Sequence, residues 1–480
     1  MPTTPTPQEG ALKSGVLTAG GIALIVVAAA APLALIAGYG PIGFLVGGIG
    51  APAGFIVAGA VLALFMTGIL VMTRHVDRPG AFYAYIARGL GPSAGTGAAS
   101  VAIVAYLTVN IGGMGILSVT TQNLVQLAFG VEVPWWVIGL ILTGATWYVC
   151  RRGIDVGVKL LVVILAAEMG ILLVIAVAIL LQPAPTGHSF AAFEPANIFT
   201  PGMAAASLVW FGAYFGIEST TLYRSETRNP ERTVPRATVI SLAFLALFYC
   251  FFAWALAQAF TVPALADAIA AEPAAMLYTI ADHYVGPWAG LAAQALLVTS
   301  SLGSGIAYYN AVSRYAHSMG TDRMLPRATT RVHPRYRSPS FGNVQAIIMT
   351  VAVLAFGLLG LDPYLQLTVW FSSPGSLGIM LLMALASLAV VAYFIRHRTA
   401  RRSTRVTVLI TAVLSFILLV AVVYEMIANI ELLTGGGLAL NIAVVATPVL
   451  IFLVVATASA VRRRLKRQPA ALPASAAEGA

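Results

Sequence analysis

The sequence predicts an all-α polytopic membrane protein with about twelve transmembrane helices. Only 9% of its 480 residues are charged and 59% are hydrophobic, with a mean hydropathy of +0.90. A soluble domain carries about 25% charged residues to cover its surface, whereas a lipid-facing surface is apolar. Because the bilayer core offers no partners for backbone N–H and C=O groups, spanning segments must be helices or closed barrels. Long, strongly apolar segments favour helices.

Apolar stretches long enough to cross about 30 Å of hydrocarbon, which takes about 20 helical residues, recur along the whole chain. We number them span 1 to span 12, and they lie at residues 16–37, 52–73, 95–128, 134–150, 156–182, 202–223, 237–260, 286–313, 341–359, 364–394, 406–430 and 438–460. No stretch outside them is long enough to fold alone. We therefore predict one membrane domain over residues 1–480, with polar tails at 1–14 and 462–480.

The positive charge lies on one side of these spans. All 27 Lys and Arg residues fall at the termini or in alternate loops, and the other loops carry acids such as Glu132 and Glu194. Lys and Arg near helix ends are retained in the cytoplasm, so both termini are predicted to be cytoplasmic. The net charge of +10 is thereby explained by topology and not by nucleic-acid binding. The strong bias to Arg and Ala favours a bacterial cytoplasmic membrane.

Two spans carry residues that interrupt helices. Span 1 contains Pro32, which removes a backbone donor, and span 6 contains Gly212 and Gly216, which weaken a helix. Interrupted helices at corresponding positions of two halves form the binding site of many secondary transporters. Either break alone is explained as well by a simple kink. Their occurrence in the first helix of each possible five-helix half favours a binding site.

Four segments resemble the amino acid, polyamine and organocation (APC) permease superfamily over nearly the whole chain. The most specific is Gly216-Ile217-Glu218 followed by residues 226–237, ETRNPERTVPRA, which is similar to the family pattern E-x-x-N-P-x-R-x-[IV]-P-[RK]-A. Residues 80–91 look like the segment after helix 2, and residues 309–315 with 320–326 look like the end of helix 8. In span 1 the family's G-[ST]-G is replaced by Ala30-Ala31-Pro32.

The resemblance implies a bacterial amino acid permease with a LeuT-type five-plus-five inverted repeat and broken helices 1 and 6. The first repeat would cover about residues 15–182, the second about 201–395, and spans 11 and 12 would follow at about 406–461. Alternating access would be the mechanism. Because Pro32 removes an amide that the family directs at a substrate carboxylate, it stays open whether carboxylate recognition is altered here.

Candidate substrate ligands follow from the breaks and from polar side chains in neighbouring spans. Half-helix N-termini attract a carboxylate, and carbonyls at a break attract an ammonium group. The candidates at the breaks are Ala30, Ala31, Leu33, Phe211, Gly212 and Tyr214. Trp210, Phe211 and Tyr214 could supply an aromatic face for an ammonium group. Tyr106 and Asn110 in span 3, and Ser301 with its neighbours Ser300 and Ser304 in span 8, either face a pocket or bond between helices.

Glu168 and Glu218 are intramembrane carboxylates and therefore candidates for function, since a charge at the centre of a span costs roughly 2.5–3.5 kcal/mol on insertion scales. Glu168 is about midway along span 5, and we predict that it carries a proton, with a hydrogen-bonding structural role as the alternative. Glu218 follows the span 6 break and either caps backbone amides or organises a gate. Arg228, Arg232 and Arg236 are candidates for contact with membrane lipid, although topology alone explains their charge.

These observations favour a proton-coupled importer of amino acids or related amines, with exchange or uncoupled transport open as alternatives. A membrane enzyme would show a catalytic motif such as H-E-x-x-H or a nucleophile elbow, and neither is present. A sensor or channel would show a soluble module or a filter-like repeat. Cys150 and Cys250 have no metal-type spacing, so neither a metal nor a cofactor is expected.

Overall fold

The computed structural model confirms an all-α polytopic architecture. It describes residues 18–75, 82–152, 158–183, 187–217, 220, 227, 229–260, 267, 273–321, 325–336, 338–397 and 402–467. Glu218 and Arg228, for which roles are predicted above, lie outside these residues, as does most of the segment between them. Nine helices in the described part are long and apolar enough to cross a membrane.

The first half of the chain forms the helices of spans 1 to 5. They are α1 Ala19–Ala29 and α2 Gly40–Gly47 in span 1, α3 Ala51–Met72, the connecting α4 Phe82–Leu90, α5 Pro92–Phe129, α6 Trp135–Arg152 and α7 Val158–Leu181. A π-helical segment, Ala34–Tyr39, precedes α2.

The second half forms spans 6 to 12. Its helices are α8 Pro195–Ile198, α9 Pro201–Ala205, α10 Ser207–Gly212, α11 Pro230–Ala257, α12 Met276–Tyr284, α13 Pro287–Thr321, α14 Phe341–Leu358, α15 Val369–Arg396, α16 Arg402–Ala428, α17 Ile430–Thr434 and α18 Leu438–Arg467. A second π-helical segment, Pro363–Thr368, begins span 10.

The α5 helix occupies the centre of the bundle. It packs against α13, α15 and α18, and 83% of the residues in its most apolar 18-residue stretch are buried. The corresponding buried shares are only 22% in α16 and 17% in α18. Large apolar side chains such as Ile410, Ile417 and Leu453 are therefore exposed on these peripheral helices, which is the surface that a bilayer covers.

Span 1 is broken where its sequence predicts a break. Thr18 caps the start of α1 by accepting a hydrogen bond from the Gly21 N–H at 3.1 Å, and the helix ends at Ala29. Ala31 then adopts a φ of 45°, the left-handed region that alanine rarely enters. Pro32 disfavours a right-handed helical conformation in the residue before it, so the helix restarts only after Ala31.

Span 6 is interrupted twice. A kink at Ala206 separates α9 from α10, and α10 ends at Gly212 in a series of turns. Gly216 has a φ of 98°, a conformation for which glycine is suited. Neither span 1 nor span 6 is one continuous helix. In each span a helix therefore ends inside the bundle.

The Trp210 side chain of span 6 packs against spans 1 and 2. Its indole ring packs over Gly43 and Gly54, where a Cβ atom would lie 2.6 Å from ring carbons. The indole N–H donates to the Met203 carbonyl at 3.2 Å. The glycines are thus required by the close approach of the ring.

Candidate functional site

A cavity lies where the two interrupted helices meet. The space in it that is open to the centre of a water molecule is about 80 Å³, and one water needs about 10–15 Å³ of such space, so the cavity is small but has room for several waters. Spans 1, 3, 6, 8 and 10 contribute the residues that line it: Ala30, Ala31, Ala34, Leu35, Tyr39, Val109, Asn110, Gly113, Met114, Ile116, Leu117, Leu208, Val209, Gly212, Phe215, Ser301, Ser304, Gly305, Tyr308, Ser372 and Ser376.

The span 1 break forms one side of the cavity. Ala30 and Ala31 line it, and the Ala30 carbonyl accepts a hydrogen bond from the Tyr249 hydroxyl of α11 at 3.5 Å. Leu33 lies in the first turn of the second half-helix, is fully buried and does not line the cavity. The first turn of a helix leaves backbone N–H groups without intrahelical partners, so the break presents both acceptors and donors inside the bundle.

The span 6 break forms a second side, through Gly212 and Phe215. A Cβ atom at Gly212 would meet only the Phe215 ring, at 3.9 Å, so the glycine leaves its face of the cavity open. Phe211 and Tyr214 are buried elsewhere and do not line the cavity. The Tyr214 hydroxyl donates to the Phe55 carbonyl at 2.6 Å, which makes it a packing residue between spans 6 and 2.

Most polar side chains of the cavity come from spans 3, 8 and 10, and Tyr39 comes from span 1. Those from spans 3, 8 and 10 are Asn110, Ser301, Ser304, Tyr308, Ser372 and Ser376. Among the described residues, the hydrogen-bond partner of the Asn110 amide is the Met349 sulfur, to which the amide N–H donates at 3.9 Å, so most of the hydrogen-bonding capacity of Asn110 is unused there. The Ser372 hydroxyl lies 3.2 Å from the Tyr39 hydroxyl. Within the part of the chain that the structure describes, the residues that line the cavity carry no formal charge.

Glu168 lies behind the span 1 break and outside the cavity lining. Its side chain is 3% exposed, and its carboxyl group neighbours the Ser300 hydroxyl and the Leu33 backbone N–H. One carboxyl oxygen, Oε2, has no hydrogen-bond partner among the described residues. The adjacent Ser301 lines the cavity, so the carboxyl group is separated from the cavity by the Ser300–Ser301 turn of α13 and by the half-helix of span 1.

A column of tyrosine rings leads away from the cavity toward the side that carries the basic loops. Tyr308 lines the cavity and stacks on Tyr106, with ring centroids 5.9 Å apart. Tyr106 in turn lies 5.9 Å from the Tyr315 ring, which is 5.8 Å from Tyr83 in α4. Tyr106 therefore lies in a layer of packed aromatic rings next to the cavity and does not line the cavity.

Six of the candidate ligands predicted from sequence share the cavity lining, and six do not. Those in the lining are Ala30, Ala31, Asn110, Gly212, Ser301 and Ser304; those outside it are Leu33, Tyr106, Trp210, Phe211, Tyr214 and Ser300. Sequence reasoning missed Ser372 and Ser376 in span 10 and Gly113 in span 3. Ser372 and Ser376 are spaced by one helical turn in a predominantly apolar helix, a pattern that places both on one face.

Comparison with known proteins places this architecture in a family. The family described as "Amino acid permease" matches residues 15–463. The chain is 28% identical to cationic amino acid transporter 5 of Arabidopsis thaliana over 216 residues, which are 44% of this chain and 34% of that protein.

Two further relatives come from Escherichia coli (strain K12). The low-affinity putrescine importer PlaP is 24% identical over 182 residues, 35% of this chain and 39% of the relative. The L-methionine/branched-chain amino acid exporter YjeH is 35% identical over 103 residues, 22% of this chain and 24% of the relative. In each comparison the chain therefore spans less than half of the relative's length. Because the family match extends over nearly the whole chain, this protein belongs to the amino acid permease family of the APC superfamily.

Proposed function

We propose that the protein is a proton-coupled secondary transporter that imports amino acids or related amines across the bacterial cytoplasmic membrane. The observation that carries this proposal is the cavity at the junction of two interrupted helices, where backbone groups of both breaks are available to a zwitterionic ligand. Membership of the amino acid permease family supports it. The names of the relatives include an importer and an exporter, so direction rests on the proposal alone.

The origin of the lining residues supports alternating access as the mechanism. Spans 1 and 3 belong to the first predicted repeat, and spans 6, 8 and 10 to the second, so the cavity lies between the two. Rocking of one repeat against the other would open the cavity to either side of the membrane. On the side that we predict to be cytoplasmic, release would require the layer formed by Tyr106, Tyr308 and Tyr315 to separate.

Glu168 is the proposed proton carrier. Its carboxyl group neighbours Leu33, in the first turn of the second half of span 1, so its charge acts on the positive end of a half-helix that borders the cavity. An ionised carboxylate strengthens this contact, and a protonated one weakens it. Protonation would therefore be coupled to the position of the half-helix that binds the substrate.

The test is uptake by purified protein in proteoliposomes, with a panel of labelled amino acids and amines. An inside-negative potential of about 100 mV supplies about 2.3 kcal/mol per proton, which corresponds to about fifty-fold accumulation. We expect accumulation that a protonophore abolishes. Uptake that requires internal substrate and is unaffected by the protonophore would instead establish an exchanger. Downhill equilibration alone would establish uncoupled transport. Folded protein that transports none of the compounds in the panel would refute the proposal.

A further inference from the structure

We infer that the substrate is a neutral amino acid with an aliphatic side chain, and that Gly113 sets the upper limit on the size of that side chain. The inference rests on the proposed function and narrows it. The relatives named above include transporters whose names specify cationic amino acids, a diamine and branched-chain amino acids, so the family alone does not choose among these chemistries.

The charges of the cavity argue against a substrate with a second ammonium group. The α-ammonium and α-carboxylate of an amino acid match the carbonyls and amides of the two breaks. A lysine, arginine or diamine brings a further charge, and none of the described residues that line the cavity carries a carboxylate. Glu168 is 3% exposed and faces Ser300 and the Leu33 amide. The second charge would be buried without a partner, which is strongly unfavourable.

The remaining surface suits an aliphatic side chain. Branched and unbranched apolar residues from spans 1, 3 and 6 form much of the lining: Leu35, Val109, Met114, Ile116, Leu117 and Leu208. Burial of a leucine-sized side chain against such a surface raises affinity by about 10- to 150-fold. A polar side chain would forgo that gain and would have to find hydrogen-bond partners among apolar neighbours.

Gly113 is the place in span 3 where the size of the cavity can be changed without disturbing the fold. It lines the cavity, and no atom of the described residues lies within 4 Å of a Cβ built at this position. Its neighbours Gly112 and Gly115 differ, because a Cβ there would collide with Ser372 and Pro363 of span 10. A methyl group at Gly113 would therefore occupy space that is now open to a substrate.

The experiment measures ligand-induced thermal stabilisation and counterflow for leucine, isoleucine, methionine, alanine, lysine, arginine and putrescine. We compare the natural protein with Gly113→Ala and with the control Gly144→Ala, which adds a methyl to an exposed glycine of α6 that also has no atom within 4 Å of its Cβ position. We expect leucine, isoleucine and methionine to bind at least about tenfold more tightly than lysine or putrescine. Gly113→Ala should weaken leucine and isoleucine about tenfold or more relative to alanine, since one methylene in an apolar pocket is worth about 10- to 200-fold.

The outcomes separate this inference from the proposed function. Tighter binding of lysine, arginine or putrescine than of leucine would overturn the inference and leave amino acid or amine transport intact. Equal effects of Gly113→Ala and Gly144→Ala on leucine and alanine would overturn the role of Gly113. Absence of binding by every compound, with all three proteins folded, would overturn the proposed function together with the inference.

Discussion

Substitution of Glu168 by glutamine separates proton coupling from structure. Glutamine has nearly the same shape as glutamate, and its amide can accept from the Leu33 N–H and donate to the Ser300 hydroxyl, the two neighbours of the present carboxyl group. Because both contacts can be kept, we expect a loss of stability below about 1.5 kcal/mol, the net value of one ordinary hydrogen bond. Glutamine cannot take up or release a proton.

The functional effect of Glu168→Gln should be much larger than the structural one. One proton crossing about 100 mV provides about 2.3 kcal/mol, so the coupled protein can accumulate substrate about fifty-fold. The variant should equilibrate substrate to a ratio of about one while its counterflow rate stays within about threefold of the natural protein. The assay is paired uptake in proteoliposomes, with an imposed potential and pH gradient in one set and with internal substrate in the other.

Ser300→Ala is the matched control, because it removes a neighbour of the carboxyl group and leaves the titratable group in place. It should retain concentrative uptake, although its rate can change. If Glu168→Gln still accumulates substrate in response to the same gradients, Glu168 is not the proton carrier and its role at the Leu33 amide is structural. A loss of counterflow as well, with an unchanged melting temperature, would also contradict the assignment, because coupling alone would then not explain the defect.

Three other substitutions test the packing and the site. Gly54→Ala brings a Cβ 2.6 Å from the Trp210 ring, and it should destabilise the protein by about 1–3 kcal/mol, seen as a lower melting temperature in detergent that Gly144→Ala does not share. Asn110→Ala removes unused hydrogen-bonding capacity from the cavity; substrate affinity should fall about 2- to 10-fold, and an unchanged dissociation constant would show that Asn110 does not contact the ligand. Ala31→Gly relieves a left-handed alanine, so its melting temperature should equal or exceed that of the natural protein, whereas Ala31→Val, with a β-branched side chain at positive φ, should lower it.

Hydropathy and the positions of proline and glycine predicted most of the framework. The predicted spans at 341–359 and 364–394 are helical or π-helical over Phe341–Leu358 and Pro363–Arg396. Lipid makes this possible, because it forces each long apolar segment to satisfy its backbone hydrogen bonds within a helix. Span 1 was predicted as one segment, 16–37, yet its second half continues to Gly47, since a break does not change the apolar composition on which the prediction depends.

The sequence does not predict which side chains of a spanning helix point into the cavity. Tyr106 and Asn110 lie one turn apart in span 3 and are 4% and 2% exposed, but only Asn110 lines the cavity. In a helix that is apolar on all sides, periodicity does not identify a unique buried face. Tyr106 instead stacks between Tyr308 and Tyr315, a contact between spans 3 and 8 that depends on the tertiary arrangement.

The departure of span 1 from the family pattern has a physical consequence for substrate recognition. Pro32 has no N–H, and the next amide, that of Leu33, faces the Glu168 carboxyl group. Two of the donors that a half-helix N-terminus would offer to a substrate carboxylate are therefore absent or engaged. Ala34 is the next residue, and it lines the cavity. We expect carboxylate recognition to depend more on side-chain donors such as Asn110 than it would with a free first turn, which is consistent with an asparagine whose amide makes only a weak contact to sulfur.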